Sequence, residues 1–139
     1  MPTAANRLTL EELPGSYAVC RLPAGAELPS WARGEIVSVT RTPDELSIVC
    51  DAAQVPPEVR AEGGWICFTL AGPFDFEQVG ILVAVARPLA EGGISIFAVS
   101  TFDTDYLMIK AAQREPALAV LRAAGHTVEE APPGGRVRR

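Results

Sequence analysis

The sequence has little positive charge and no long apolar run. Its 139 residues include 12 Lys or Arg, of which only Lys110 is a lysine, against 17 Asp or Glu, so the formal net charge is −5. Proteins that bind nucleic acid through its phosphates concentrate positive charge on one surface, so no nucleic-acid partner is expected. The longest apolar run, Val79–Ala86, is far shorter than the roughly 20 residues of a membrane helix, and no membrane association is expected.

The residue patterns of metal sites and catalytic centres are also missing. Cys20, Cys50 and Cys67 are widely spaced, and the sole histidine, His126, lies in a different kind of segment. Neither a disulfide framework nor a zinc site is predicted, and the three cysteines are interpreted as buried, unreactive thiols. The sequence contains no glycine-rich phosphate loop and no nucleophile elbow. We therefore expect no enzyme activity, no cofactor and no metal.

The composition is that of a soluble folded domain, 48% hydrophobic and 21% charged. The first six residues lack a basic region followed by an apolar stretch, so a cytoplasmic location is expected. A weakly helical stretch is predicted to end at Arg60, and Gly63-Gly64 is predicted to break the chain before the next strand. The predicted strands are a short edge strand over Leu8–Leu13, then Tyr17–Leu22, Ile36–Arg41, Leu46–Cys50, Trp65–Leu70, Ile94–Val99, Tyr106–Ile109 and His126–Val128.

The longest helix is predicted over Phe76–Glu91. Asp75 and Gln78 match a capping box at its start, and Gly92-Gly93 stops it. Pro88 lies inside it and removes one backbone hydrogen bond, so a kink or a shortened last turn is predicted. The residues expected on its apolar face follow helical spacing: Val79, Leu82, Val83, Ala86, Leu89 and Ala90.

A second helix is predicted after the last hairpin, with Pro116 in its first turn and Gly125 just past its end. His126 is interpreted as a positive group that meets the dipole at the helix end. The tail over residues 131–139 is rich in Pro, Gly and Arg and is predicted to be disordered. Two leucines of this helix are expected to face the core: Leu118 and Leu121.

An internal repeat determines the predicted architecture. Residues 36–50 match residues 96–110 in apolar pattern at an offset of 60, and Glu45 aligns with Asp105. Such a period indicates two copies of one supersecondary unit. Each copy reads strand, helix, strand, strand, helix, strand, so we predict an α+β fold of two tandem ferredoxin-like βαββαβ units, the first with a reduced helix. Because the first copy lacks a closing strand of its own, Trp65–Leu70 is either shared or exchanged between the copies.

Three segments carry a resemblance to a known family. Gly72–Ile81, Pro88–Met108 and Val39–Val49 resemble the ACT-domain proteins of the aspartokinase regulatory type, and within them a small bacterial tandem-ACT subgroup related to the CASTOR arginine sensors. The resemblance extends over residues 8–128. It implies a protein that binds an amino acid as an effector without changing it chemically, and that pairs through its sheets or helices as a homodimer.

The resemblance also implies unit boundaries and a site. The two ACT units correspond to residues 8–64 and 65–130, and the ligand of the related sensors lies between the strand-to-helix loop of one unit and the hairpin of another. A helix N-terminus suits a ligand carboxylate, and the acidic hairpin suits an ammonium. The implied loop residues are Phe74, Asp75, Val79, Gly80 and Ile81, and the implied hairpin residues are Thr101, Phe102, Thr104 and Asp105.

Each of these residues also has a structural interpretation. Asp75 caps the helix whether or not a ligand lies near it. Gly80 either admits a ligand or lets the helix pack closely on the sheet. Asp103 and Asp105 either bind an ammonium or are solvated turn residues. Three aromatic side chains are core residues or ligand contacts: Phe74, Phe76 and Phe102. The alternative function is a protein-interaction or dimerisation module that has lost its ligand.

Overall fold

Within the part of the chain that the structure describes, eight strands and two helices form an α+β structure, as predicted. The computed structural model describes residues 7–71 and 80–132, and within these ranges no helix is long and apolar enough to cross a membrane. The helices are α1 (Ile81–Glu91) and α2 (Arg114–Ala123). The strands are β1 (Thr9–Glu12), β2 (Tyr17–Leu22), β3 (Ser38–Arg41), β4 (Leu46–Asp51), β5 (Arg60–Leu70), β6 (Ile96–Ser100), β7 (Asp105–Lys110) and β8 (Thr127–Glu129).

Strand β5 belongs to both halves of the sheet. Its first half pairs antiparallel with β2, and the ladder continues through β4 to β3 at the edge. Its second half pairs with β7, which pairs with β6 at another edge. On its other side the second half pairs with β1, and β1 pairs in parallel with β8. The structure is thus two tandem ferredoxin-like units joined through one strand.

Two strand predictions are wrong in this region. Strand β5 starts at Arg60 and runs through Gly63-Gly64 without a break, because pairing with β2 overrides the local glycine signal. The register shifts between Tyr17 and Val19 opposite the glycines, and Gly64 has a φ of 80°. Such an irregularity is where a strand accepts glycine. Strand β1, predicted at an edge, lies between β5 and β8.

The two predicted hairpins are confirmed, but the predicted repeat offset is wrong by one. Each hairpin turn opens with a threonine, Thr42 or Thr101, whose N–H donates to the carbonyl three residues later at 2.9 and 2.8 Å, respectively. Each hairpin is followed by a 3-10 turn with the sequence Ala-Ala-Gln, at Ala52–Gln54 and Ala111–Gln113. These equivalent positions are 59 residues apart, whereas the apolar pattern indicated 60.

Consecutive buried residues explain this error. Strand β4 buries residues 48–50 and β7 buries residues 107–109, three in a row in each case. An alignment shifted by one residue still places apolar on apolar, although it would turn every side chain to the opposite face of the sheet. With the offset of 59, Asp103 is equivalent to Asp44, and Asp105 is equivalent to Leu46.

Three hydrophobic clusters stabilise the sheet. Helices α1 and α2 cover the first, which includes Phe68 and Leu107 of the second half. Tyr17 and Trp65 lie in the second, on the opposite face where the two halves meet. The third, in the first half, is covered by a loop that contributes Trp31, and residues 7–71 contain no α-helix. The reduced helix of the first unit is therefore replaced by a loop, and both tryptophans pack as expected.

Helix α1 differs from its prediction in start and face. It begins at Ile81, because Gly80 takes a left-handed φ of 80°, so a continuous helix from Phe76 is wrong. The capping pair Asp75 and Gln78 and the apolar-face residue Val79 lie outside the described residues. Because nearly every residue from 79 to 86 is apolar, hydrophobic periodicity alone did not define which face of α1 packs on the core. The helix buries Val85 and Leu89, whereas Val83, predicted to face the core, is 51% exposed.

Helix α2 agrees with its prediction. Pro116 lies in its first turn, and Gly125, with a φ of 98°, follows its end. Leu118 and Leu121 are buried in the cluster beneath the helices. The hydrophobic spacing and both terminal signals therefore defined this element. Residues 133–139 of the predicted disordered tail lie outside the described residues.

Arg114 connects the N-terminal strand to the second helix and to β8. Its guanidinium donates to both carboxylate oxygens of Glu12, at 3.1 and 2.8 Å, and to Glu130 at 2.9 Å. The Glu12 side chain is only 8% exposed. Hydrogen bonds from Arg114, and then from Arg122, lower the pKa of Glu130. This network anchors β1 in the sheet of the second unit.

The interpretation of His126 as a positive group at a helix end is wrong. The side chain is buried, its Nδ1 accepts a hydrogen bond from the N–H of Leu8 at 3.1 Å, and its Nε2 lies 2.8 Å from the carbonyl of Ala84. The imidazole therefore carries its proton on Nε2 and donates it to that carbonyl. Within an α-helix the Ala84 carbonyl would accept from the N–H at position 88, which is missing because Pro88 occupies it. His126 replaces that hydrogen bond.

A double-mutant cycle tests this replacement. His126→Ala leaves the Ala84 carbonyl and the Leu8 N–H without partners, and we expect it to lower the free energy of unfolding by about 2–4 kcal/mol. Pro88→Ala restores an N–H that can donate to Ala84, so the two substitutions together should cost about 1 kcal/mol less than their separate effects added. Urea unfolding followed by circular dichroism measures all three variants. If the changes in unfolding free energy of the two single variants simply add in the double variant, His126 does not replace the hydrogen bond that Pro88 removes from the Ala84 carbonyl.

The cysteines are buried, as predicted, and their chemistry follows from that burial. Cys20 is 1% exposed, and Cys50 and Cys67 are fully buried. Burial raises the pKa of Cys20 to about 11 and that of Cys67 to about 12, and it also raises the pKa of Cys50. The thiolate is the reactive form, so none of the three is poised for attack.

A thiol-reactivity assay tests this conclusion. With a chromogenic disulfide reagent at pH 8, the native protein should release less than about one thiol equivalent over the time in which the urea-unfolded protein releases all three, because native thiolates are scarce and inaccessible. Cys20→Ser provides the matched variant, for which the unfolded protein should release one equivalent fewer. A rapid native reaction that this substitution removes would show that Cys20 is accessible.

Candidate functional site

The turn between β6 and β7 is closed by its two threonines. The Oγ1 of Thr101 donates to the carbonyl of Thr104 at 3.0 Å and accepts from the N–H of Thr104 at 3.2 Å. Together with the backbone hydrogen bond between the same two residues, these contacts define one conformation for residues 101–104. Threonine hydroxyls favour such local turns. The turn is therefore a preformed element.

A side-chain hydrogen bond ties this turn to the end of β5. The Oγ1 of Thr104 donates to the carbonyl of Leu70 at 2.6 Å, and the next N–H, that of Ala71, donates to Thr9 at 2.8 Å. Both contacts are at the point where the chain leaves the sheet. The hairpin turn and the start of the strand-to-helix loop are thus held together within one unit.

Topology brings the start of α1 to the same end of the sheet. The antiparallel pairing of β5 with β7 places Tyr106 beside Thr69, so the turn lies next to the carboxyl end of β5. The next described residue after this end is Gly80, which precedes α1, and the first residues of that helix, Ile81 and Leu82, pack on the cluster that contains Leu70. A helix start and an acidic turn therefore share one end of the second unit.

Gly80 has a backbone role that only glycine fills without strain. Its φ of 80° and ψ of 3° are left-handed, and its carbonyl accepts from the N–H of Ala84 at 2.9 Å. A Cβ added here would meet no heavy atom of a described residue within 4 Å, so the interpretation of close helix packing does not hold for those residues. The N–H groups of the first helical turn carry partial positive charge and favour an anion.

The turn carries two carboxylates that form no ion pair with any described residue: Asp103 and Asp105. Asp103 is exposed, and Asp105 is half-buried. The hydroxyl of Ser100 donates to Asp105 Oδ1 at 2.6 Å and orients that carboxylate. An oriented carboxylate suits an ammonium group.

The structure brings some of the predicted site residues together and leaves others undescribed. Gly80, Ile81, Thr101, Thr104 and Asp105 lie at one end of the second unit. Phe102 is 79% exposed at the turn, so its interpretation as a core residue is wrong. Three of the predicted loop residues lie outside the described residues: Phe74, Asp75 and Val79.

Two contributors were missed at the sequence level. Ser100 orients Asp105, and the carbonyl of Leu70 anchors Thr104. The contact between Ser100 and Asp105 could have been predicted, because a serine and an aspartate flank the four-residue turn. The contact between Thr104 and Leu70 could not, because backbone carbonyls carry no sequence identity and the contact spans 34 residues.

The residues described offer no obvious place for a metal. Among them, no group of three or more His, Cys, Asp or Glu side chains converges as a metal site.

Comparisons with known proteins place the chain in a family. Residues 60–123, from the start of β5 to the end of α2, match a family model described as an ACT domain, and residues 15–58 match a separate N-terminal-domain model. A crystal structure of a protein from Agrobacterium tumefaciens is 43% identical, with a TM-score of 0.87, over 94% of this chain and 98% of that one. This protein belongs to the ACT-domain family. The ACT match covers the second unit, which carries the candidate site.

More distant relatives connect this ACT protein to regulatory proteins. The rat cytosolic arginine sensor for mTORC1 subunit 1 is 28% identical over 93 residues, which are 60% of this chain and 28% of that protein. The chain therefore spans less than a third of that relative. The ligand-free regulatory subunit of aspartate kinase from Thermus thermophilus has the same fold, with a TM-score of 0.56 and 11% identity over 82% of this chain and 94% of that one.

Replacing Thr104 tests whether the turn is anchored to β5. Thr104→Val removes the hydroxyl and leaves the Leu70 carbonyl without this donor, so we expect a loss of about 1–2 kcal/mol in the free energy of unfolding. Thr104→Ser keeps a hydroxyl and is the matched control, which should lose less than half as much. Equal losses for the two variants in urea unfolding would contradict the anchoring role.

Proposed function

We propose that this ACT protein is a regulatory protein that binds a free amino acid and does no chemistry on it. The ligand lies between the strand-to-helix loop, with Phe74, Asp75 and residues 79–81, and an acidic hairpin turn, with Thr101, Phe102, Thr104 and Asp105. Binding stabilises one arrangement of the units, and this change of arrangement is how the protein would signal that the amino acid is bound. Regulatory relatives of the same family support this role.

The observation that carries the proposal is the tie between Thr104 and Leu70. It holds an acidic turn against the strand end from which the loop to α1 departs. A free amino acid presents one carboxylate and one ammonium, and it needs partners of opposite charge at a short separation. The first turn of α1 favours the carboxylate, and Asp103 and Asp105, which form no ion pair with a described residue, favour the ammonium.

A homodimer would complete the site in this proposal. Asp103 and Phe102 are exposed, so one side of the turn remains open to a second protomer. An amino acid between two protomers would lose more surface to solvent than one held on an open turn, and it would bind more tightly. We propose a cytoplasmic location for such a sensor, where free amino acids are its effectors.

The second candidate is a protein-interaction or dimerisation module without a ligand. The exposure of two apolar side chains favours it, Phe102 at 79% and Val83 at 51%, on the turn and on α1. Exposed aromatic residues are common anchors at protein interfaces. In this alternative the site end of the unit is covered by a protein partner.

A thermal-shift screen of the twenty amino acids separates the two candidates. An amino acid that binds only the folded state at 100 times its dissociation constant adds about 2.7 kcal/mol to the free energy of unfolding, so at least one should raise the melting temperature clearly. Asp103→Asn and Asp105→Asn should each reduce that rise, because they remove negative charge beside the ammonium. A flat screen at millimolar ligand would contradict the proposed function.

The repeat provides a matched control for this experiment. Asp44→Asn makes the same change at the equivalent position of the first hairpin, and it should leave the ligand-induced rise unchanged. Phe102→Ser addresses the second candidate. If it abolishes self-association in sedimentation measurements while no amino acid shifts the melting temperature, the interaction module accounts for the protein better than the sensor does.

A further inference from the structure

A cleft lies on the helix-free face of the sheet, and its β6 side ends at Ser100, the residue before the hairpin turn. Its volume is about 380 Å³, within the range of pockets that take small ligands. One wall is β6, and the other is formed by β2, β3 and β4 of the first unit. Its lining includes Val19, Thr40, Ser47, Val49, Phe97 and Val99.

The lining combines an apolar floor with free hydroxyls. Three valines and a phenylalanine supply the apolar part. The hydroxyls of Ser38, Thr40 and Ser47 make no side-chain hydrogen bond with any described residue. A ligand with an apolar body and one polar end matches such a lining.

Two arginines border the polar end of the cleft. In the strand register, Thr40 lies beside Ser47, Ser47 beside Arg21, and Arg21 beside Arg60. Side chains at paired positions point to the same face, so these four residues form one row across four strands. Two positive charges directly opposite each other on neighbouring strands repel. The row therefore has a place for an anion.

Neighbouring acids do not fully neutralise this pair. Arg21 Nη2 donates to the backbone carbonyl of Asp44 at 2.9 Å, and Glu45 lies 3.8 Å from Arg21 Nε in a weak, exposed ion pair, so one carboxylate at most faces this arginine. Glu62, next to Arg60 on the same face, is bound by Lys110 at 3.3 Å. Arg60 forms no ion pair with any described residue. The row keeps an excess of positive charge beside the hydroxyls.

We propose that this cleft binds a small monocarboxylate with a compact, branched apolar body. The carboxylate lies over Ser47 and accepts a hydrogen bond from its hydroxyl, and the long side chains of Arg21 and Arg60 reach it along the row. The apolar body lies between the valines of the first unit and the β6 wall. A ligand that bridges the two units in this way holds β6 against the first half of the sheet. The inference is independent of the proposed amino-acid site.

Titration with 4-methylpentanoate tests this site, followed by the methyl NMR signals of the valines. We expect the signals of Val19, Val49 and Val99 to shift, while those of Val85 beneath the helices stay in place. Arg60→Gln should weaken binding at least about tenfold, because it removes a charge-assisted hydrogen bond. Arg87→Gln removes the same charge from the exposed side of α1 and should change nothing.

Two further probes distinguish a built site from nonspecific attraction. The neutral 4-methylpentanamide should bind at least tenfold more weakly than the acid. Inorganic phosphate should leave the valine signals in place, since it has no apolar body. The proposal is overturned if the amide binds equally well, if phosphate reproduces the shifts, or if millimolar 4-methylpentanoate gives no shift. Asp103→Asn, which changes the proposed amino-acid site at a residue without contact to the cleft lining, should leave this binding intact, so failure here is separate from failure of that site.

Discussion

Strand β5 is the constraint on which the rest of the molecule depends, because this one continuous strand pairs with strands in both halves of the sheet. Its first half pairs with β2, and its second half lies between β1 and β7. Neither half has a full set of strands without it. The first unit, which has no α-helix among residues 7–71, is therefore stabilised by the sheet it shares together with the small cluster covered by the Trp31 loop.

The same strand positions both surfaces to which we assign ligands. Its carboxyl end holds the acidic turn through Leu70 and Thr104 and sends the chain toward α1. Its amino end places Arg60 beside Arg21 at the border of the cleft. His126 then links the middle of α1 to the start of β1, so the helix that follows the loop is connected to the sheet through a buried side chain.

Local patterns predicted the hairpins and α2, because alternation, turn residues and terminal signals act over a few residues there. They failed where the backbone conformation depends on pairing with residues that are distant in the sequence. No residue near Gly63-Gly64 indicates that pairing with β2 keeps these glycines within a strand. Likewise, Pro88 lies 38 residues from His126, which supplies the hydrogen bond that the proline cannot make. The offset of the repeat was missed by one because three consecutive buried residues hide a one-residue shift. At the site, the acidic turn was predictable, whereas the Leu70 carbonyl carries no sequence signal.

The most direct test of the central claim is an amide NMR titration of the full chain with the amino acid that stabilises it most. The account predicts that the largest shifts fall on Gly80, Ile81 and residues 101–105, and that the equivalent turn at 42–45 stays unchanged. Shifts that are absent, or that fall on both turns equally, would contradict an amino-acid site at the end of the second unit.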